Sequence, residues 1–270
     1  MGNHMIAVIG AGKLGELVLS GLLRAGWPAN QLIATTRRPE RAAELAERYG
    51  IRPTLNLTAV TQADVLLVAV KPQDAGKLLD EFGMKIPPGK LVVSLCAGLP
   101  TSFFTERLPG GIPVVRVMTN TPALVDQAMT VISAGPYATD EHLALTEEIF
   151  QPLGKTMRVP EAQQDAVTAL SGSGPAYFYL LVEAMIDAGI LLGLPRQVAH
   201  ELIVQTAIGS AVMLRDSGEH PVKLREAVTS PAGTTISAIR ELEKHGVRAA
   251  LLAALEAARD RAREIAAQSA

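Results

Sequence analysis

The chain has 270 residues, 48% of them hydrophobic, enough for two cored domains. Its 25 Lys and Arg against 27 Asp and Glu leave a formal net charge of −2, which argues against a dedicated nucleic-acid binder or an anionic-membrane binder. A single cysteine, Cys96, excludes an intramolecular disulfide and fits a reducing, cytoplasmic setting.

Met1-Gly2-Asn3-His4 reads as an appended leader before a natural start at Met5, without a signal peptide. Met5–Ile9 is a short apolar run suited to a strand. It flows into Gly10-Ala11-Gly12-Lys13-Leu14-Gly15 and a helical stretch, Gly12–Ala25. In a Gly-x-Gly-x-x-Gly loop the first glycine permits the tight turn and the second lets backbone approach a pyrophosphate. The third lets helix and strand pack closely. Alone the pattern is weak. The strand before it and the helix after it favour a dinucleotide site over an accidental glycine turn.

The next strand, Leu32–Thr36, bears on which dinucleotide binds. NAD-specific sites tend to place an acid near its end for the ribose hydroxyls, and none stands between Gln31 and Arg38. Thr35, Thr36, Arg37 and Arg38 instead offer hydroxyls and two guanidiniums suited to a 2′-phosphate. The competing reading is that the arginines merely solvate the next helix, Pro39–Tyr49. NADP(H) is the preferred cofactor, with NAD(H) as the alternative.

Further strands are expected at Val65–Val70, Leu91–Ser94 and Val114–Met118, with helices at Asp74–Phe82 and Thr101–Leu108. Met129–Ser133 and Lys155–Val159, flanking helix Glu141–Phe150, extend the sheet to about residue 160. The alternation implies an α/β Rossmann domain over residues 1–160, a doubly wound, mostly parallel sheet. Cys96 follows the apolar Leu91-Val92-Val93 and reads as a buried strand-end thiol.

After Pro160 the strands stop. Helices are expected at Glu161–Leu170, Gly174–Leu192, Pro195–Ser217, Pro221–Ala227, Thr234–Lys244 and Val247–Gln268, an all-α domain over residues 161–270. Tyr177–Leu194 approaches membrane-span length, but Glu183 and Asp187 interrupt it, which favours a buried helix. Ala176–Leu191 is apolar on almost every side and needs a large core. Roughly 110 residues of helix can hardly surround it. A second copy is therefore expected to cover it, giving a homodimer of interlocked helical domains. His142, His200, His220 and His245 lack short ligand spacing and imply no metal site.

Val228-Thr229-Ser230-Pro231-Ala232-Gly233-Thr234-Thr235 has the marks of a helix start. Ser can cap, Pro suits a first turn, and Gly233 lets backbone approach a ligand. Free N–H groups and a positive dipole end suit a small carboxylate. By pattern alone a polar cap between two helices is the commoner outcome.

Six motifs in order decide between these readings. They are Gly10–Gly15, Ala69-Val70-Lys71-Pro72-Gln73, Arg116-Val117-Met118-Thr119-Asn120-Thr121-Pro122, the run Asp165–Tyr177, Gly193-Leu194-Pro195-Arg196, and Val228–Thr235. From Met5 onward the chain resembles the pyrroline-5-carboxylate reductase family, which makes proline. The resemblance implies an NAD(P)H-dependent oxidoreductase that transfers hydride to the C=N carbon of 1-pyrroline-5-carboxylate, giving L-proline. It implies that Ser230, Gly233 and Thr234 bind the substrate carboxylate through backbone N–H groups and a hydroxyl. Thr235 would also bind substrate, with its hydroxyl on the imine nitrogen to help proton delivery; a protonated imine or water would share that task. Ala69, Val70, Lys71 and Pro72 would lie beside the cofactor and Asn56 near the adenosine ribose. Asn120 would stand where the Rossmann domain hands over to the substrate side. Plainer readings remain beside each: Lys71 as a solvated charge, Asn56 as an ordinary turn, Asn120 as a strut for its own turn, and Thr235 bonded back within its helix. The family also implies rings of dimers in some members.

Related hydroxyacid dehydrogenases and ketopantoate reductases use a Lys acid/base on the first helix after the Rossmann domain, whereas Glu161–Leu192 holds no Lys and no His. A carbonyl reductase must protonate an alkoxide; an iminium becomes a neutral amine and needs no such acid. Two other readings are a reductase of another cyclic imino acid and a catalytically silent NADP(H)-binding sensor. The chain departs from the family at Thr119, where Pro is usual, at Ala232, where Gly is usual, and in lacking a glycine near Gln127. Ala232 matters if its backbone takes angles that Ala resists, and little if those angles are helical.

Overall fold

A computed structural model describes residues 4–269, so Met1, Gly2 and Asn3 of the expected leader lie outside the described residues. The chain divides into two compact units. One runs through Ser173 and takes in the chain again from Ala257; the other is Gly174–Glu256.

The first unit holds eight strands: β1 Ile6–Ile9, β2 Leu32–Thr35, β3 Arg52–Pro53, β4 Val65–Val68, β5 Leu91–Ser94, β6 Val114–Met118, β7 Ala128–Ala134 and β8 Gly154–Arg158. They form one sheet in the order β3-β2-β1-β4-β5-β6-β7-β8. Its helices are α1 Lys13–Arg24, α2 Pro39–Tyr49, α3 Asn56–Gln62, α4 Pro72–Phe82, α5 Thr101–Thr105, α6 Asp140–Phe150 and α7 Gln164–Val167. Strands β1, β4 and β5 are buried along their whole length, which is why they read as apolar runs, broken only by Ser94 at the end of β5. One face packs Ile6 and Val8 against Leu17 and Leu22 of α1, Leu45 of α2 and Phe150 of α6. The other packs Ala7 and Ile9 with Val60 of α3, Leu79 of α4 and Phe104 of α5. Helices on both faces make the sheet doubly wound.

Every neighbouring pair of strands is parallel except β6 with β7. The link between those two is a short turn built on a 3-10 segment, Thr121–Val125. A parallel return needs a crossover of a dozen or more residues, so β7 runs back antiparallel. Helix α6 then supplies a full crossover, and β8 lies parallel to β7.

Two elements were not expected from the sequence. Strand β3 is two residues long, includes Pro53 and sits on the sheet edge, where proline is tolerated. Helix α3 carries Thr58, Val60 and Thr61, β-branched residues that weaken a helical signal. The expected helix Glu161–Leu170 is instead a 3-10 turn, the short α7 and a π turn over Thr168–Gly172. Polar bonds hold this segment in the first unit. Buried Gln164 donates to Val131 O at 3.3 Å and to Ser133 Oγ at 2.9 Å. Buried Arg116 pairs with Asp165 at 3.2 Å and Glu161 at 3.7 Å. The compact division accordingly falls after Ser173, beyond the boundary expected at residue 160.

The second unit comprises α8 Gly174–Leu191, α9 Arg196–Asp216, α10 Pro221–Ala227, α11 Thr234–Lys244 and the start of α12, Val247–Ser269. Only Ile186 of α8 is buried, while Phe178, Tyr179, Leu180 and Met185 are exposed. A single chain therefore does not cover this helix. The segment Glu161–Leu191 is long and apolar enough to cross a membrane by length and composition alone.

Candidate active site

The glycine loop closes the carboxyl end of β1. Gly10 has φ +85, and a Cβ there would lie 2.3 Å from Val70 Cγ1, so both torsion and space demand glycine. Gly12 is the cap of α1, makes no side-chain cap bond and has open space where a Cβ would point. The first-turn N–H groups of Lys13, Leu14 and Gly15 have no acceptor inside the helix and lie at its positive end. That combination suits a dinucleotide phosphate.

Thr35 differs from its expected role. It is 2% exposed, and its Oγ accepts the Gly10 N–H at 3.2 Å while its carbonyl accepts the Ala11 N–H at 2.7 Å. Its hydroxyl shapes the glycine loop instead of facing solvent, because β2 is buried on both faces. Thr36, Arg37 and Arg38 remain on the turn into α2. Arg37 pairs with Asp74 of α4 at 3.2 Å, whereas Arg38 has no carboxylate partner among the described residues.

Ala69–Pro72 comes to the same place. The Ala69 N–H donates to Ile9 O at 2.9 Å, and Val70 lies against Gly10. Lys71 is exposed and precedes Pro72, the first residue of α4. The glycine loop and Ala69–Pro72 thus meet at the carboxyl ends of β1 and β4, where α/β sheets take ligands. Asn56 opens α3, with its amide donating to the Glu81 carboxylate at 3.3 Å. Asn120 uses its amide at both ends, donating to Ser171 O at 3.0 Å and accepting the Met129 N–H at 3.1 Å. That geometry is a strut. Thr119 is accommodated by a buried hydroxyl pair with Thr130 at 2.9 Å. Burial pushes the Cys96 thiol up to about 12, so it is no nucleophile at neutral pH.

In the second unit, the Gly233 N–H donates to Ser230 O at 3.1 Å and closes a turn with Pro231 and Ala232 at its centre. Ala232 has φ +58. Proline followed by a positive φ is the pattern of a type II turn, in which glycine is the usual third residue. The angles are therefore left-handed, not helical, and cost Ala about 1–2 kcal/mol. Gly233 caps α11 without a side-chain bond, and a Cβ there would lie 2.3 Å from Ser230 Oγ.

Several hydroxyls of this unit donate to the carbonyl four residues earlier: Thr206 to Leu202 O, Thr229 to Arg225 O and Ser237 to Gly233 O. The hydroxyls of Ser230, Thr234 and Thr235 make no hydrogen bond among the described residues. They stand at the start of α11, whose first-turn N–H groups have no acceptor inside the helix, a combination fit to receive a carboxylate and one further polar atom. Sequence reasoning missed Arg41, and it named Arg116 only within a motif, without its buried pairing to Glu161 and Asp165. Arg41 gave a signal in its spacing, one turn before Leu45 on the inner face of α2.

Comparison with known proteins adds the following. Residues 161–265 match the family described as pyrroline-5-carboxylate reductase dimerisation, and residues 5–98 that described as NADP oxidoreductase coenzyme F420-dependent. The pyrroline-5-carboxylate reductase of Mycobacterium tuberculosis (strain ATCC 25618 / H37Rv) is 42% identical over 287 residues, spanning 98% of this chain and 97% of that protein. Pyrroline-5-carboxylate reductase 1 of Bacillus subtilis (strain 168) is 39% identical, spanning 96% and 89%. The solved pyrroline-5-carboxylate reductase of Coxiella burnetii superposes with a TM-score of 0.90 at 33% identity, covering 98% of this chain and 99% of that one. The Plasmodium falciparum pyrroline carboxylate reductase, solved with NADP bound, gives 0.90 at 28% identity with the same coverage.

Proposed function

From the premise that the chain belongs to the pyrroline-5-carboxylate reductase family, we propose how its residues divide the reduction of 1-pyrroline-5-carboxylate to L-proline. The protein is an NAD(P)H-dependent oxidoreductase acting on a C=N bond, and it carries a dimerisation domain. When bound, the reduced nicotinamide supplies a hydride to the C=N carbon.

The glycine loop Gly10–Gly15 holds the pyrophosphate through first-turn N–H groups, with Ala69, Val70, Lys71 and Pro72 beside it and Asn56 toward the adenosine ribose. Thr36, Arg37 and Arg38 take the 2′-phosphate and make NADPH the preferred cofactor. The unpaired Arg38 guanidinium supports this, because a phosphate is the charge partner it lacks. Thr35 and Asn120 act one step back, shaping the loop and bracing the handover.

On the substrate side, the N–H groups and hydroxyls of Ser230, Gly233 and Thr234 bind the carboxylate. The Thr235 hydroxyl holds the ring nitrogen and assists its protonation. The observation that carries this reading is the unbonded Thr235 hydroxyl beside free helix-start amides, where Thr206, Thr229 and Ser237 bond back to carbonyls four residues earlier. The proton itself comes with a protonated imine or from water, because a Thr hydroxyl is too weak an acid to supply it unaided. Hydride addition to the iminium then gives a neutral amine with no further proton needed, where a carbonyl would require an acid for its alkoxide. A second copy covers α8, giving a homodimer through the helical unit that can build into rings. A cytoplasmic setting agrees with a lone, buried thiol.

The test is steady-state oxidation of NADPH and NADH with pyrroline-5-carboxylate. Thr235→Ala is expected to lower kcat by about 10²-fold, and Arg38→Ala to raise KM for NADPH about tenfold while sparing NADH. A Thr235→Ala enzyme with wild-type kcat would remove Thr235 from the chemistry.

A further inference from the structure

Arg41 is a charged side chain only 14% exposed, in the first turn of α2. Its Nε donates to Ala11 O at 3.4 Å, its Nη1 pairs with Glu44 at 2.8 Å, and its Nη2 pairs with Glu16 in the first turn of α1. Glu16 also accepts from Arg48 at 3.0 Å and from the Tyr49 hydroxyl at 3.0 Å. Against the burial that would raise it, hydrogen bonds from Arg41 and Tyr49 hold the Glu16 carboxyl below its ordinary value. With two carboxylates and a carbonyl already bound, Arg41 differs from Arg38: its fork is engaged within the protein.

The consequence is geometric. Ala11 is gripped at both ends of its backbone. Its N–H goes to Thr35 O at 2.7 Å, and its carbonyl receives Arg41 Nε. Thr36, Arg37 and Arg38 lie on the chain between those two grips. The turn that bears the free guanidinium is thus fastened to the glycine loop before it and after it.

We propose that Arg41, held by Glu16, is a positioning residue that sets the spacing between the glycine loop and Arg37–Arg38, and so the enzyme's discrimination for a dinucleotide bearing a 2′-phosphate. The proposal rests on the reading that this turn takes the 2′-phosphate. A lysine cannot replace the residue, because three partners in different directions need the planar fork.

The experiment measures kcat and KM for NADPH and NADH, with melting temperature, in Arg41→Met, Arg41→Lys, Glu16→Gln and Arg38→Ala enzymes. Arg41→Met is expected to lower the NADPH-to-NADH ratio of kcat/KM about fivefold, with the loss in KM for NADPH. Glu16→Gln follows in the same direction with a smaller effect, and it serves if Arg41→Met folds poorly. Arg41→Lys recovers less than half of the loss. When Arg38→Ala is already present, Arg41→Met lowers the ratio by a smaller factor than it does alone, because part of the spacing acts through Arg38. A fall in melting temperature with an unchanged ratio would overturn the proposal, as would full recovery by Arg41→Lys, which would reduce the role to charge. If Arg38→Ala itself leaves the ratio unchanged, the 2′-phosphate reading fails. If Arg38→Ala lowers it and Arg41→Met does not, the positioning role alone fails.

Discussion

Helices α1 and α11 begin in the same way and bear the strain of it differently. Each starts at a glycine without a side-chain cap, after a turn closed by a backbone bond: Gly12 N–H to Gly10 O at 2.7 Å, and Gly233 N–H to Ser230 O at 3.1 Å. Each turn contains a left-handed residue, Gly10 in the first and Ala232 in the second. Gly10 lies against Val70, so any side chain there would meet both a torsional and a steric penalty. Ala232 is exposed, so its methyl meets the torsional one alone. Asp126, also left-handed at φ +57, shows a third solution: its carboxylate pairs with Arg24 at 2.7 Å. Asp tolerates such angles better than Ala does. A helix start that must leave its amides free can thus be built on glycine or on a residue kept in strain, and the surroundings decide which survives.

Substitutions separate these cases. Gly10→Ala carries the largest expected effect, a loss of about 3 kcal/mol from torsion and overpacking together. Denaturant melting and NADPH titration would both register it, and a near-normal melt would mean that Val70 can move aside. Asp126→Ala should cost about 1 kcal/mol, since it removes a half-exposed ion pair and keeps the left-handed angle. No change in melting would make that pair idle. Ala232→Gly should act in the opposite sense and stabilise by about 0.5 kcal/mol, because relief of torsion exceeds the entropy that glycine adds to the unfolded chain. KM for pyrroline-5-carboxylate should then stay within about twofold. A tenfold fall in KM without stabilisation would show that the free loop avoids these angles and that substrate imposes them, breaking the likeness to Gly10.

Much of the fold could be read because its signals are local. Strands β1, β4 and β5 are buried on both faces and announce themselves as apolar runs, and Pro39 and Pro221 mark the starts of α2 and α10. What escaped the sequence depends on distant partners. Thr35 looked like a ligand hydroxyl because Gly10, which it serves, stands 25 residues earlier. Arg116 in Val-Val-Arg-Val-Met resembles a solvent-facing charge until Glu161 and Asp165 close on it from the far side of two strands and a helix. At the candidate site the motifs located the backbone turns, and the resemblance assigned their residues. Which guanidinium is free and which is bound could come only from the carboxylates Asp74, Glu16 and Glu44.

Cys96 has a practical consequence. It is the chain's one thiol, buried and bonded to the carbonyls of Val68 and Val70 at the end of β4. Near neutral pH it is both shielded and protonated, so an alkylating reagent reaches it only when the strands around it part. The rate of labelling at Cys96 therefore times the opening of the sheet's centre, with no label or tag added to the protein.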